Sequence, residues 1–140
     1  MGFLDKLFGG SKKYPALAPD TSAAKKLKSM KDPLEKLSKD VNETIEIIPA
    51  EESAFVFIGK PPKNFGMAWI EDGKVHSFKT LSEEKGVPQN KLPKLAEALA
   101  NAYRKSDSHD RYSTTIGNKV VTVTPSQKLA KEVQQILASA

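Results

Sequence analysis

The sequence has 140 residues, of which 39% are hydrophobic and 28% charged, with 22 Lys and Arg against 17 Asp and Glu. These values are typical of one modest globular domain with short appendages. The absence of Cys excludes disulfides, thiolate metal sites and a Cys nucleophile. No apolar stretch approaches the roughly 18 to 20 residues that a membrane-spanning helix requires. Paired carboxylates, metal-ligand spacing and nucleophile motifs are also lacking, which disfavours an enzyme.

The first residues form a short amphipathic pattern. Four apolar side chains fall within one arc of about 140° on a helical wheel: Phe3, Leu4, Leu7 and Phe8. Asp5 and Lys6 lie opposite, and Gly9-Gly10 ends the pattern. A two-turn helix is marginal in water and gains stability by laying its apolar side on another surface. The pattern predicts contact with a membrane interface or a partner; a frayed segment and docking on a groove of the same domain are the alternatives.

The net charge of +5 is confined to the start of the chain. Residues 1–31 contain seven Lys and two Asp, whereas the remainder carries fifteen basic and fifteen acidic side chains. The sequence therefore predicts a basic arm, including Lys12 and Lys13, on a neutral body. Because all seven basic residues are Lys, diffuse attraction to an anionic surface is favoured over the bidentate readout of bases that Arg supplies.

Two units are predicted along the chain. Residues 1–22 form an amphipathic tip and a flexible basic tether, because the stretch from residue 9 to 22 is rich in Gly, Pro, Ala and Ser. Residues 23–140 form a single α+β domain, with a helical lead-in over 23–42 and a core over 44–140. Asp32, Pro33 and Glu35 match the N-cap, N1 and N3 positions of a helix over 33–42, preceded by a shorter helical piece from Ala23.

The pattern then changes to strands. Strands are predicted over residues 44–48, 54–58, 65–70 and 75–81. Asp72-Gly73 is a strong hairpin signal, and it sets Trp69 opposite His76 and Met67 opposite Phe78. The sequence leaves open which face of this hairpin is buried.

The last third of the chain adds two helices and a hairpin. Apolar residues with a 3.6-residue period predict a helix over 90–105. A second hairpin over 111–124 turns at Gly117-Asn118, and a terminal helix follows Thr124, its predicted N-cap. The predicted fold is α+β: an antiparallel sheet of five to six strands, a meander plus a hairpin, packed on one face by two to three helices.

Three groups of residues are candidates for chemistry. The loop over 59–66 carries Lys60, Lys63 and Phe65, which could bind an acidic peptide, a phosphate or a lipid head group; a solvated connection is the alternative. His76 could serve as a general base or ligand, although a lone strand His is more often a packed residue. A third candidate is a group of possible cation ligands after the predicted helix over 90–105: Asp107, His109 and Asp110. The alternative is that these residues only form the turn that ends the helix.

These observations favour a non-catalytic interaction or regulatory module of a bacterial-type cytoplasm. It would be held transiently at the anionic inner face of the membrane by its first residues and would bind a protein partner. No cofactor or metal is expected, and the oligomeric state is left open. One alternative is a soluble domain that binds nucleic acid or an acidic partner. Another is a small-ligand or catalytic domain around His76 and Lys60.

Overall fold

Six strands form one sheet in the computed structural model, which describes residues 14–60, 64–106 and 110–139. The strands are β1 (Ile45–Pro49), β2 (Ser53–Lys60), β3 (Asn64–Glu71), β4 (Lys74–Ser77), β5 (Tyr112–Ile116) and β6 (Lys119–Val123). Their order is β4-β3-β2-β1-β6-β5. The predicted α+β fold, with its meander and its hairpin, is confirmed.

One pair of strands departs from the predicted antiparallel sheet. β1 and β6 are parallel, with Glu46 opposite Thr122 and Ile47 opposite Val123. The backbone N–H of Thr124 extends this contact by donating to the carbonyl of Ile47 at 2.9 Å. The second hairpin therefore lies beside the first strand of the meander, and β1 is central rather than an edge.

The turn between β3 and β4 forms at the predicted residues. Asp72 and Gly73 have φ of 54° and 74°, the left-handed values that a two-residue hairpin turn requires and that Gly adopts without strain. Trp69 pairs with His76, as predicted from the turn position. Met67 and Trp69 are both buried, so this face of the hairpin points into the core.

The prediction of a strand over 75–81 is wrong beyond Ser77. Helix α3 (Phe78–Glu84) begins there, because the Ser77 side chain caps its first turn and the backbone N–H of Ser77 donates to the Thr80 hydroxyl at 3.1 Å. The local capping bonds outcompete continued strand pairing, and Met67 is not paired with Phe78. Phe78 instead packs, half-buried, against the core.

Five α-helices lie in the described part of the chain, more than the two to three predicted. The others are α1 (Ser22–Ser29), α2 (Lys31–Asp40), α4 (Leu92–Lys105) and α5 (Gln127–Ala138), and one 3-10 turn (Gln89–Lys91) precedes α4. α2 begins two residues before Pro33, which is tolerated in a first turn because the N–H groups there lack helical partners. Ser126, not Thr124, caps α5. None of the described helices combines the length and the apolar character needed to cross a bilayer.

Helices cover both faces of the sheet, which corrects the prediction of helices on one face. On one face, Phe57 and Trp69 pack with α4 and α5. On the other face, Val56 and Ile70 pack with Leu27 of α1 and with α2. Successive residues of β2 point to opposite faces, so its continuous apolar run supplies both cores.

Candidate functional site

A segment of the predicted tether is attached to the edge of the sheet. Residues 14–17, here called the strap, run parallel to β5. The Ser113 N–H donates to the Pro15 carbonyl and the Leu17 N–H donates to the Ser113 carbonyl, both at 2.8 Å. The Ser113 hydroxyl also donates to the Tyr14 carbonyl at 3.1 Å. The strap satisfies backbone groups that an edge strand would otherwise expose, and it fixes where residues 1–13 join the domain.

The strap leads directly into α1. Leu17 is half-buried against the core beneath α1 and α2. The Thr21 hydroxyl donates to the Ala18 carbonyl at 2.7 Å and accepts from the Ala24 N–H at 3.2 Å, which caps the first turn of α1. The strap and α1 therefore form one continuous edge of the molecule.

A cleft of about 200 Å³ opens between the strap, α1, α2 and β5. We call it the edge groove. Apolar side chains, threonines and a charged rim line it: Leu17, Ala24, Leu27, Lys28, Lys31, Glu35, Thr114, Thr115, Ile116 and Gly117. Leu27 and Ile116 are buried members of the core below it. The groove therefore has an apolar floor and charged groups along the two helices.

The outward face of α1 is basic. Ala23 and Leu27 face the core, and Lys25 and Lys28 are exposed on the opposite side of the helix. Lys31 follows at the start of α2, where its ammonium lies 3.8 Å from the carboxylate of Glu35. Residues 22–31 contain four Lys and no acidic residue. We call Lys25, Lys28 and Lys31 the α1 lysine face. Four of the seven lysines of residues 1–31 lie in helices, three in α1 and one in α2, within the predicted helical lead-in.

A partly buried polar network lies near the start of the strap. The Tyr103 hydroxyl, on the last turn of α4, lies 2.8 and 2.9 Å from the two carboxylate oxygens of Glu46 on β1. The Arg111 Nε lies 3.8 Å from Glu46, and its guanidinium stacks 4.9 Å from the centre of the Tyr103 ring. Arg111 also donates to the carbonyl and hydroxyl of Ser106, the C-cap of α4. The network joins β1, α4 and the start of β5.

Burial governs the protonation of this network. The pKa of Glu46 is raised chiefly because burial removes water from the carboxylate; the Tyr103 hydrogen bond and the Arg111 charge oppose that rise. The pKa of Tyr103 is also raised, by burial first and then by the charge of Glu46, with a smaller contribution from Tyr14 in the strap. Neither cleft described here is lined by these side chains. The network therefore lies outside both clefts, at the junction of β1, α4 and the start of β5.

The raised pKa of Glu46 predicts a pH dependence of stability. Protonation of Glu46 is favoured in the folded state, so its contribution is fully present below the ordinary carboxyl pKa of 4.5 and is lost as pH rises through the higher folded pKa. The melting temperature of Glu46→Gln, which stays neutral, is expected to fall less than that of the wild type between pH 4.5 and 7. An equal fall in melting temperature for the two proteins across this pH range would contradict the raised pKa of Glu46.

A second and larger cleft, of about 520 Å³, lies at the end of the sheet where the β1–β2 and β3–β4 turns meet α1 and α5. Its lining is mostly polar and of mixed charge: Lys26, Pro49, Ala50, Glu51, Glu52, Ser53, Glu71, Asp72, Gln127, Ala130, Lys131 and Gln134. Within residues 14–60, 64–106 and 110–139, no group of three or more His, Asp or Glu side chains is placed to hold a metal ion.

The predicted contact residues are only partly covered by the structure. The following lie outside the described residues: Phe3, Leu4, Lys6, Leu7, Phe8, Lys12, Lys13 and Lys63. Lys60 is the last residue of β2, so the predicted loop is shorter than expected. Phe65 is half-buried, and its ring meets that of Phe57 edge-on at 5.3 Å. Phe65 is thus engaged with the core rather than presented as an exposed contact.

The candidate catalytic residue His76 packs against the core rather than lining a cleft, and only one of the three candidate metal ligands, Asp110, is among the described residues. His76 is half-buried and stacks on Trp69, with ring centres 6.0 Å apart and planes inclined by 20°. It lines neither of the two clefts. Asp110 is exposed, whereas Asp107 and His109 lie outside the described residues.

Sequence reasoning missed the strap and the polar network. The network had a readable signal, because Glu46 interrupts an otherwise apolar strand between Ile45 and Ile47. A charged residue in a buried strand is usually paired. The strap had no comparable signal, since two prolines within residues 14–19 argue against a strand and its partner, Ser113, is distant in sequence.

No protein-family model, curated protein or solved structure matches the chain.

Proposed function

We propose that this chain is a non-catalytic interaction module that associates reversibly with an anionic membrane surface. The apolar side chains of residues 3–8 would enter the interface, and the α1 lysine face would lie against the lipid head groups. The folded domain is thereby held near the membrane, where it meets a protein partner. The observation that carries the proposal is the strap, which places Tyr14 on the edge that also bears Lys28 and Lys31.

Two weak membrane signals support the proposal: the apolar pattern of residues 3–8 and the lysines near the strap. Lys12 and Lys13 directly precede Tyr14 in the sequence, and Lys28 and Lys31 of the α1 lysine face line the cleft beside the strap. Each Lys near an anionic leaflet contributes roughly 1 kcal/mol, and a partly buried Phe or Leu contributes a comparable amount. One such signal alone gives only marginal membrane binding. The apolar segment and the lysines together are sufficient for binding that is measurable but still reversible.

The described surfaces favour lipid over nucleic acid. Helices cover both faces of the sheet, and Trp69 is only 6% exposed, so the described sheet presents no aromatic platform for bases. Arg111 is buried in the polar network, and the basic groups of α1 are all Lys. Ammonium groups suit a charged surface better than a specific base sequence.

Vesicle co-sedimentation tests the proposal. The full chain is expected to pellet with vesicles containing phosphatidylserine, less so at high salt and weakly with phosphatidylcholine alone. Replacing Phe3, Leu4, Leu7 and Phe8 by Ser is expected to reduce the association constant by at least about tenfold, because this removes the apolar half of the contact.

The matched control removes exposed apolar groups elsewhere. Val75 and Val120 are 40% and 44% exposed, and the variant with both replaced by Ser is expected to bind vesicles like the wild type. Equal pelleting of the wild type and the fourfold Ser variant would overturn the proposal. Salt-sensitive binding to an oligonucleotide, without binding to vesicles, would favour the nucleic-acid alternative instead.

A further inference from the structure

The edge groove combines an apolar floor with a charged rim at the point where the strap meets α1. Leu17 and Ala24 are half-buried beside it, and Leu27 and Ile116 form the core below. Lys28, Lys31 and Glu35 border it from the two helices. The apolar floor can bind the apolar side of a short amphipathic segment, and the charged rim can bind the charged residues that flank that side.

We propose that residues 3–8 of this same chain dock in the edge groove when the protein is away from a membrane. The docking is an intramolecular contact, and its regulatory meaning rests on the function proposed above. Phe3, Leu4, Leu7 and Phe8 cannot lie in the groove and in a bilayer at once. The groove therefore competes with the membrane for the same side chains.

Chain length permits this contact. The strap fixes Tyr14 beside β5, and Leu17, three residues later, lines the groove. Three extended residues span about 10 Å, and the five residues from 9 to 13 span at most about 17 Å. The segment can therefore return along the strap to the groove, and Gly9-Gly10 gives the backbone the freedom to turn.

Charge and size also fit this occupant. The segment carries one acidic and one basic residue, Asp5 and Lys6, opposite its apolar arc. The rim offers Lys28 to the former and Glu35 to the latter. A recess of about 200 Å³ is smaller than most ligand sites, so it holds only part of the apolar arc. The docked state is consequently weak, and a bilayer that accepts the whole arc displaces it.

Engineered cysteines test the contact, because the chain has none of its own. The test pair is Gly9→Cys with Thr115→Cys: Gly9 adjoins the apolar segment, and Thr115 is exposed and lines the groove. The control pair is Gly9→Cys with Asp110→Cys. Asp110 is also exposed and lies three residues before Ser113, whereas Thr115 lies two residues after it. Tyr14 lies on the Asp110 side of Ser113, because the strap runs parallel to β5 with Ala16 beside Ser113. The tether alone therefore favours the control pair, and a faster Thr115 pair requires docking.

The rate of intramolecular disulfide formation under mild oxidation decides the proposal. The Thr115 pair is expected to close about tenfold faster than the Asp110 pair, since docking raises the effective concentration beyond that of the tether. Equal rates, or a faster Asp110 pair, would overturn the docking.

Vesicle binding separates this proposal from the function on which it rests. The oxidised Thr115 pair is expected to lose its vesicle association and to regain it on reduction. Fast closure in a chain that never binds vesicles would sustain the docking and overturn the membrane function. Equal closure rates in a chain that binds vesicles would overturn the docking and sustain the membrane function.

Discussion

Replacing Phe57 by Ala is expected to lower the free energy of unfolding by about 3–5 kcal/mol, the usual range for deleting a fully buried aromatic side chain. Phe57 has no exposed surface. Its ring meets those of Phe65 at 5.3 Å and Tyr103 at 5.5 Å, both edge-on. Its loss would leave a cavity beneath α4 and would remove the edge-on contact to the Tyr103 ring. Chemical denaturation followed by circular dichroism measures the change.

The control for this prediction is Val120→Ala on β6. Val120 is 44% exposed, so its truncation is expected to change the free energy of unfolding by less than about 0.5 kcal/mol. If Phe57→Ala cost no more than this control, the placement of Phe57 at the centre of the core would be contradicted.

Neutralising the α1 lysine face is expected to weaken binding to anionic vesicles by about 100-fold at low salt. The variant replaces Lys25, Lys28 and Lys31 by Gln, which retains a similar helix propensity. Three lysines at roughly 1 kcal/mol each sum to about 3 kcal/mol, and each 1.4 kcal/mol corresponds to a tenfold change in affinity. Titration with vesicles, at low and at high salt, measures the effect.

A charge-matched variant provides the control. Lys91, Lys94 and Lys128 are exposed on the 3-10 turn, α4 and α5, on the opposite face of the sheet, and none of them lines either cleft. Their replacement by Gln removes the same net charge and is expected to leave most of the affinity intact. An equal loss in both variants would mean that net charge, rather than the position of the α1 lysine face, governs binding.

Much of the sheet could be predicted because its signals are local. Asp72-Gly73 accommodates positive φ at both turn residues, and this alone fixes the pairing of Trp69 with His76. The alternating apolar residues of the second hairpin likewise predict that Ile116, Val121 and Val123 share one buried face. In both cases the turn and the two-residue period determine the structure together.

The fold departs from prediction where two local signals compete or where partners are distant. Ser77 and Thr80 cap a helix that begins within residues 75–81, and this capping competes with the strand pattern of the same stretch. The parallel pairing of Ile47 with Val123 joins residues far apart in sequence. No local period specifies such a contact, so neither the neighbour of β1 nor the cover on both faces could be predicted.

For the candidate site, the sequence predicts which residue types are present but not where they lie in the fold. The lysines before residue 32 are evident in the sequence, but only the strap and the packing of α1 against the sheet gather Lys28 and Lys31 beside the edge groove. Ala23 and Leu27 are spaced by four residues, which places both on one face of a helix and predicts that Lys25 points outward. The attachment at Ser113 could not be predicted, because it depends on backbone hydrogen bonds rather than on side-chain pattern.

The orientation of the domain on a membrane is the most direct test of the account. A fluorophore on Ser29→Cys reports from the exposed side of α1, and one on Gln135→Cys reports from the exposed side of α5, beyond the opposite face of the sheet. With vesicles that carry a head-group quencher, the label at position 29 is expected to be quenched and the label at position 135 to remain bright. Equal quenching at both positions, or stronger quenching at 135, would contradict the claim that the strap edge and the α1 lysine face meet the lipid.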